Sequence, residues 1–230
     1  YNQFEGIYMF KFKGGFTLAE VLITLVIIGI IAAMTIPQVI NNTNEQENVV
    51  ATKEAFSILS QAYNRVLVEN GGTIEPSSLG SPGREVTQNF GDIFAKQMHV
   101  QNNCGVSTDQ ECFANGMYKY LDGSDWVEWN KKNYYKVRLA NGMSLGFIVR
   151  NEYVERGTSD ALKHVITDIY VDVNGDKGPN VVGKDTFGFW MTKYGVIPFG
   201  VADVLEDNYG NINTCKTTGR GCTFWVVTQN

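Results

Sequence analysis

A continuous apolar segment from Phe16 to Ile36 is the feature that most constrains the fold of this chain. It holds one charged residue, Glu20, and it follows a flank that contains Lys11 and Lys13. At 1.5 Å per residue, a helix of this length spans roughly 32 Å, which is enough to cross a bilayer core of about 30 Å. Because basic flanks stay on the cytoplasmic side, the rest of the chain is predicted to lie outside.

Three interpretations of this segment are consistent with the sequence. A cleaved secretory signal needs small residues at its cleavage site, and only Ala33-Met34-Thr35 comes near that pattern. In a plain membrane anchor the carboxylate of Glu20 has no purpose and costs about 2–3 kcal/mol if it lies deep. In the third interpretation the carboxylate has a partner that arrives later, which explains why the segment keeps a charge.

The residues around the acid resemble a known motif. The stretch GFTLAE, residues 15–20, is similar to the cleavage and methylation motif of type IV pilins and type II secretion pseudopilins. In that family a membrane-bound peptidase cuts after the glycine, and the new N-terminal residue, usually Phe, is N-methylated. The resemblance therefore implies processing between Gly15 and Phe16 by a prepilin peptidase and methyltransferase.

The same resemblance implies an assembly role for three residues. Glu20 takes the place of the family's acid, the fifth residue after the cut, and Gly29 and Pro37 match positions that pilins often use. It implies that Glu20 of an incoming subunit meets the amine of Phe16 in a filament, since the two charges attract strongly in lipid. It also implies that the helix between Gly29 and Pro37 can unwind as subunits pack. From the residues alone, Gly29 and Ala33 are a small-xxx-small pair or a chance feature.

The chain is predicted to hold a leader, a transmembrane helix, a soluble continuation of that helix and a globular head. In that order these parts cover residues 1–15, 16–37, 38–70 and 71–230. Met9 is a candidate true start, which would place residues 1–8 outside the protein. The alternative to one long helix is two helices with a hinge near Pro37–Asn44, because the polar run there favours a break.

The head is predicted to be α+β, with a small antiparallel sheet packed on the soluble half of the long helix. That half has an apolar face with helical spacing, formed by Val49, Phe56, Leu59, Tyr63 and Val66. Residues 71–89 are interpreted as a loop and residues 90–100 as a short amphipathic helix. Strand-forming runs flank Asn141-Gly142, a hairpin signal, and residues 165–173, 186–192 and 223–228 complete about five strands.

The four cysteines are predicted to form disulfides, because the head is expected outside the inner membrane. Local pairing, Cys104–Cys112 and Cys215–Cys222, is the simplest of three connectivities, and neither spacing is that of a zinc ribbon or a redox motif. The second pair also resembles the C-terminal disulfide loop of many pilins.

An acidic loop, residues 168–185, is a second candidate functional segment, because it could bind a metal ion. Asp172, Asn174 and Asp176 alternate along it, so their oxygen atoms could converge on Ca²⁺ if the chain curls, with Asp185 as a further ligand. The spacing does not fit an EF-hand. The alternative is a solvated turn between strands, since Asn-Gly and Pro-Asn form turns. The sequence predicts no other cofactor.

Function follows from the motif rather than from a catalytic signature. The GxSxG, HExxH and phosphate-loop patterns are absent, and a formal charge of −5 argues against nucleic acid as the main partner. We predict a non-enzymatic subunit of the inner membrane with a periplasmic head, extracellular or filament-associated after assembly. Its partners are other pilin or pseudopilin subunits, the processing peptidase and the inner-membrane assembly platform. The alternative is a minor tip pilin acting as an adhesin or a DNA-uptake subunit through the aromatic segment, residues 124–136.

Overall fold

A computed structural model describes residues 15, 17–81, 83–206 and 208–229, without the side chains of residues 37–43. The chain divides into two compact units, Tyr1–Asn44 and Glu45–Asn230. Of the predicted leader only Gly15 is described, so the candidate start at Met9 lies outside the described residues. Phe16, the predicted first residue of the processed chain, also lies outside them.

The first element is a single long helix, α1, from Leu18 to Glu69, as the sequence predicted. Its first part, Leu18–Ile36, is long and apolar enough to cross a membrane by length and composition. Aliphatic side chains there are largely exposed, with Leu25 at 60% and Ile28 at 62%. Such exposure is unfavourable in water and natural in lipid, which accounts for an apolar surface on all sides of this stretch.

The part of α1 that belongs to the second unit is amphipathic in the predicted way. Leu59, Tyr63 and Val66 are buried, and Phe56 packs against the same core. Helix α2, Arg84–Ala95, buries Phe90 and Phe94 beside them. These apolar faces need a partner surface, and the sheet of the head provides it.

The head contains a six-stranded antiparallel sheet with the strand order β1-β4-β5-β6-β7-β8. A separate two-stranded sheet pairs β2, Tyr118–Lys119, with β3, Asp125–Val127. The strands of the large sheet are β1 Val100–Gly105, β4 Tyr135–Leu139, β5 Ser144–Val154, β6 Val165–Asp172, β7 Thr186–Thr192 and β8 Gly195–Pro198. The fold is therefore α+β with an antiparallel sheet, as predicted.

Two hairpins of this sheet contain segments that the sequence singled out. The predicted turn at Asn141-Gly142 joins β4 to β5, and Gly142 has a φ of 92°, which glycine adopts without strain. Farther along, Asp172 at the end of β6 pairs with Thr186 at the start of β7. The acidic loop is therefore the connection of a β-hairpin, and its two ends are held side by side.

Each face of the large sheet is covered by a separate cluster of apolar side chains. One cluster joins α1 and α2 to residues such as Phe147 and Phe189, and the other surrounds Trp129 and Phe199. Close approach on the second face requires glycine, because a Cβ at position 146 would lie 2.3 Å from the Trp129 ring. The sheet is thus sandwiched, which is why β6 and β7 are buried along their whole length.

Two local predictions were wrong. Residues 223–228 form a short helix rather than a strand; this helix is α4 (Thr223–Thr228), and it follows the one-turn helix α3 (Asp160–Lys163) in the chain. The adjacent residues Val226 and Val227 both pack on the core while Trp225 is exposed, a pattern that suits a helix and not the alternation of a strand. Helix α2 also begins at Arg84 inside the predicted loop, because Val86 and Phe90 share its buried face.

Candidate functional site

Glu20 lies in the first turn of α1 and is held there by Thr17. The Thr17 backbone N–H and hydroxyl both donate to Glu20 Oε2, each at 2.9 Å, and the Glu20 N–H donates to Thr17 Oγ1 at 3.2 Å. This reciprocal arrangement is a capping box, in which the two side chains satisfy backbone N–H groups that the helix cannot. The spacing Thr-x-x-Glu is the sequence signature of a capping box, and it could have predicted this motif.

The capping box changes how the acid of the free chain should be understood. Its carboxylate already accepts two hydrogen bonds, and it lies at the helix end where the dipole favours a negative charge. Glu20 is nevertheless exposed. A second partner can therefore reach the carboxylate.

Gly29 and Pro37, the other predicted assembly residues, both lie inside α1. A Cβ added at Gly29 would meet nothing within 4 Å, so packing among the described residues gives no reason for a glycine there. The backbone is helical at Pro37 and through the following residues. The hinge considered for Pro37–Asn44 is therefore not a break in the helix.

The structure brings together Asp172 and Asp185, two of the four predicted metal ligands. Tyr118 donates its hydroxyl to Asp172 Oδ2, and the N–H groups of Asn174 and Gly175 donate to Asp172 Oδ1 at 3.2 and 2.9 Å. Burial raises the pKa of Asp172 to about 7, and the nearby charge of Asp185 acts in the same direction. Burial raises the pKa of Asp185 as well.

The other two predicted metal ligands, Asn174 and Asp176, lie in different environments. Asn174 lies beside Asp185, and its Oδ1 is buried without a hydrogen-bond partner among the described residues. Asp176 instead points outward, 73% exposed, and forms a two-pronged ion pair with Arg138 at 2.8 and 2.6 Å. Within the described ranges no cluster of three or more His, Cys, Asp or Glu side chains could hold a metal ion. The predicted ligands that lie close together are therefore Asp172, Asn174 and Asp185.

Both disulfides connect cysteines that are close in sequence. Cys104 is bonded to Cys112, and Cys215 to Cys222. The loop closed by the second bond packs on the acidic loop, because a Cβ at Gly219 would lie 2.1 Å from the Val182 carbonyl oxygen. The C-terminal disulfide loop thus supports one side of the Asp172–Asp185 pair.

The aromatic segment, residues 124–136, is mostly core. Trp129 and Tyr135 are fully buried. Trp126 is half-buried against Trp129 and Tyr170, with ring centroids 5.3 and 4.7 Å apart. These rings pack on one another rather than form a row of free faces, so the segment offers less stacking surface than its sequence indicated.

Comparison with known proteins identifies one part of the chain. Residues 11–36 match a family model described as the prokaryotic N-terminal methylation motif. This range contains the six residues that carry the resemblance stated above, and the match confirms that resemblance. No curated protein and no solved structure matches the chain.

Proposed function

We propose that this chain, which carries the prokaryotic N-terminal methylation motif of type IV pilins and type II secretion pseudopilins, is a structural subunit of a pilus or pseudopilus. The observation that carries the proposal is the matched motif at the start of a helix whose first part suits a lipid bilayer. The remainder of the chain has its own core and sheet, as a subunit with a filament-forming helix and a separate head requires.

Processing is the first step of the proposed role. A prepilin peptidase in the inner membrane hydrolyses the Gly15–Phe16 peptide bond, which leaves a carboxylate on Gly15 and a free amine on Phe16. A methyltransferase activity then N-methylates that amine. The basic residues Lys11 and Lys13 are lost with the leader. The head lies in the periplasm, and an inner-membrane assembly platform moves the processed subunit into the filament.

Assembly is the second step and uses the capping box. In the free subunit Thr17 holds the Glu20 carboxylate at the start of α1. On docking, the carboxylate meets the Phe16 amine of a subunit already in place. Two opposite charges in lipid are poorly screened, so pairing removes an isolated charge from an apolar site. Gly29 and Pro37 then allow the intervening helix to adapt as neighbours pack.

Mass spectrometry of the purified protein tests the processing step. From cells that possess the peptidase, we expect an intact polypeptide that begins at Phe16 and carries one methyl group on its α-amine. The matched control is Gly15→Leu, which should keep the leader because the cleaved bond follows this residue. A wild-type chain that still begins upstream of Gly15 in such cells would contradict the proposed function.

We also propose that the acidic loop binds one Ca²⁺ ion through Asp172, Asp185 and Asn174. Two buried carboxyl groups with raised pKa values repel each other when both are ionised, and a divalent cation removes that repulsion. The unpartnered Oδ1 of Asn174 is an oxygen ligand of the kind that Ca²⁺ prefers. Asp176 is left out, because Arg138 holds its carboxylate.

Calorimetry on the full chain in detergent, stripped with a chelator, tests this site. We expect saturable Ca²⁺ binding with a Kd on the order of 10⁻⁴–10⁻³ M, the range of extracellular calcium modules. Asp185→Asn should abolish the binding heat, and Asp176→Asn should leave it unchanged. A flat wild-type titration at millimolar Ca²⁺ would exclude the site.

A further inference from the structure

The soluble half of α1 presents two different flanks. Lys53 and Glu54 are consecutive, yet their side chains contact opposite ends of the sheet. Lys53 Nζ donates to the Gln229 carbonyl just after α4, and Glu54 Oε1 accepts from Asn141 Nδ2 at 3.0 Å in the β4–β5 turn. The flank that presents the Lys53 ammonium is called the positive flank, and the flank that presents the Glu54 carboxylate, which also carries Arg65, is called the Glu54 flank.

The Glu54 flank contains a groove. It lies between α1, the segment before β1 and the β4–β5 turn, and has a volume of about 480 Å³. Its apolar wall includes Ile58, Met98 and Leu139, and Arg65 lines it from the helix. Arg65 is anchored by its bond to the Gln97 carbonyl at 3.2 Å, so its guanidinium stays beside the apolar wall.

The positive flank carries an exposed aromatic side chain. Trp225 on α4 is 55% exposed, whereas its neighbours Val226 and Val227 pack on the core. Tryptophan is the side chain most often found as a binding anchor, because one ring buries about 150–250 Å². Its exposure is a consequence of the helical turn, which directs it away from the two valines.

These two flanks cannot meet within one chain. Helix α4 packs beside β7 and β8, and the groove lies at the β1 and β4 end of the same sheet. Three to five strand spacings separate the two features, which amounts to about 14–24 Å. An anchor and a groove at opposite sides of one molecule make a head-to-tail contact, and a contact of this kind builds an open filament when the rotation between copies does not close a ring.

We propose that Trp225 of one copy docks in the groove beside Ile58 and Arg65 of the next copy, with Lys53 of the first facing Glu54 of the second. The inference rests on the proposed role as a filament subunit and names a contact between heads that the N-terminal motif does not provide. The guanidinium of Arg65 stacks on the indole ring, a cation–π contact that strengthens as water leaves. The two charges fix the register of the heads.

Disulfide trapping in cells tests the contact with the full chain. Two tagged copies are co-expressed, one carrying Thr228→Cys, which is exposed one helical turn after Trp225 and leaves that anchor in place, and the other Gln61→Cys, which lies in the groove. No free cysteine occurs among the described residues, because all four natural cysteines are bonded. We expect a reducible mixed dimer in the filament fraction. Neither variant alone should give it, nor should Thr228→Cys paired with Tyr194→Cys, a residue that is 56% exposed in the turn between β7 and β8, away from the groove.

A charge exchange provides the second measurement. Lys53→Glu or Glu54→Lys alone should lower filament incorporation at least about threefold, and the double variant should restore it, because the pair is then reversed rather than lost. Filaments that contain the wild-type chain but yield no mixed dimer would overturn the docking contact and leave the proposed function intact. The opposite outcome is a mixed dimer in the membranes of cells whose filaments lack the wild-type chain. That result would support the docking contact and contradict the role as a filament subunit.

Discussion

Glu20→Val is expected to leave the chain in the membrane and cleaved after Gly15, while its incorporation into filaments falls at least about tenfold. An unpaired charge in an apolar site costs about 3–5 kcal/mol, and about 1.4 kcal/mol corresponds to a factor of ten. Without the carboxylate, the Phe16 amine of each docked subunit has no partner. Immunoblots of sheared filaments against the membrane fraction measure the ratio.

Two matched variants separate the charge of Glu20 from its role in the capping box. Glu20→Gln keeps an oxygen that can accept from Thr17, as glutamine does in a capping box, but removes the charge. Thr17→Val removes the hydroxyl partner and keeps the charge. We expect the first to assemble as poorly as Glu20→Val and the second to assemble close to the wild type. Normal assembly of Glu20→Gln would refute the idea that charge pairing drives docking.

The sequence predicted well wherever one local pattern decides the outcome. A membrane-length apolar run needs no tertiary context, and the long helix that contains it follows from the heptad-like spacing of Leu59, Tyr63 and Val66. The turn at Asn141-Gly142 is decided by backbone conformation, since Gly142 has a φ of 92°. Each of these features results from interactions within a few residues of chain.

The predictions that failed depend on neighbours far away in sequence. A short apolar run such as residues 223–228 has no period that separates helix from strand, and the choice is made by the core against which Val226 and Val227 pack. The side chains of the acidic loop, whose predicted role in metal binding stays a prediction, are likewise positioned by residues far away in sequence. From their alternation along the chain, Asp172 and Asp176 were predicted to act together. In the structure they have different partners: Asp176 pairs with Arg138 on β4, and Asp172 accepts a hydrogen bond from Tyr118 on β2.

The free energy of unfolding of the head is expected to depend on pH, and Asp172 sets the sign of that dependence. With calcium chelated, the free energy of unfolding of the wild-type chain, relative to Asp172→Asn, should fall as the pH rises from about 4 to about 7. It should then level off. Burial raises the pKa of Asp172 from its ordinary 3.8 to about 7, so over this interval the folded chain keeps a proton that the unfolded chain has lost. Raising the pH therefore favours unfolding.

The slope of the free energy of unfolding against pH has an upper bound. Denaturant unfolding of the full chain in detergent at several pH values measures it. One group contributes at most about 1.4 kcal/mol per pH unit, and a change of 1 kcal/mol shifts Tm by about 2–4 °C for a head of this size. Asp176→Asn is the matched control, because Asp176 is exposed and its variant should run parallel to the wild type. Parallel curves for the wild type and Asp172→Asn would contradict the burial of an ionisable Asp172. If Ca²⁺ binds the loop, adding it above pH 7 should restore the stability that ionisation of the buried carboxyl removed.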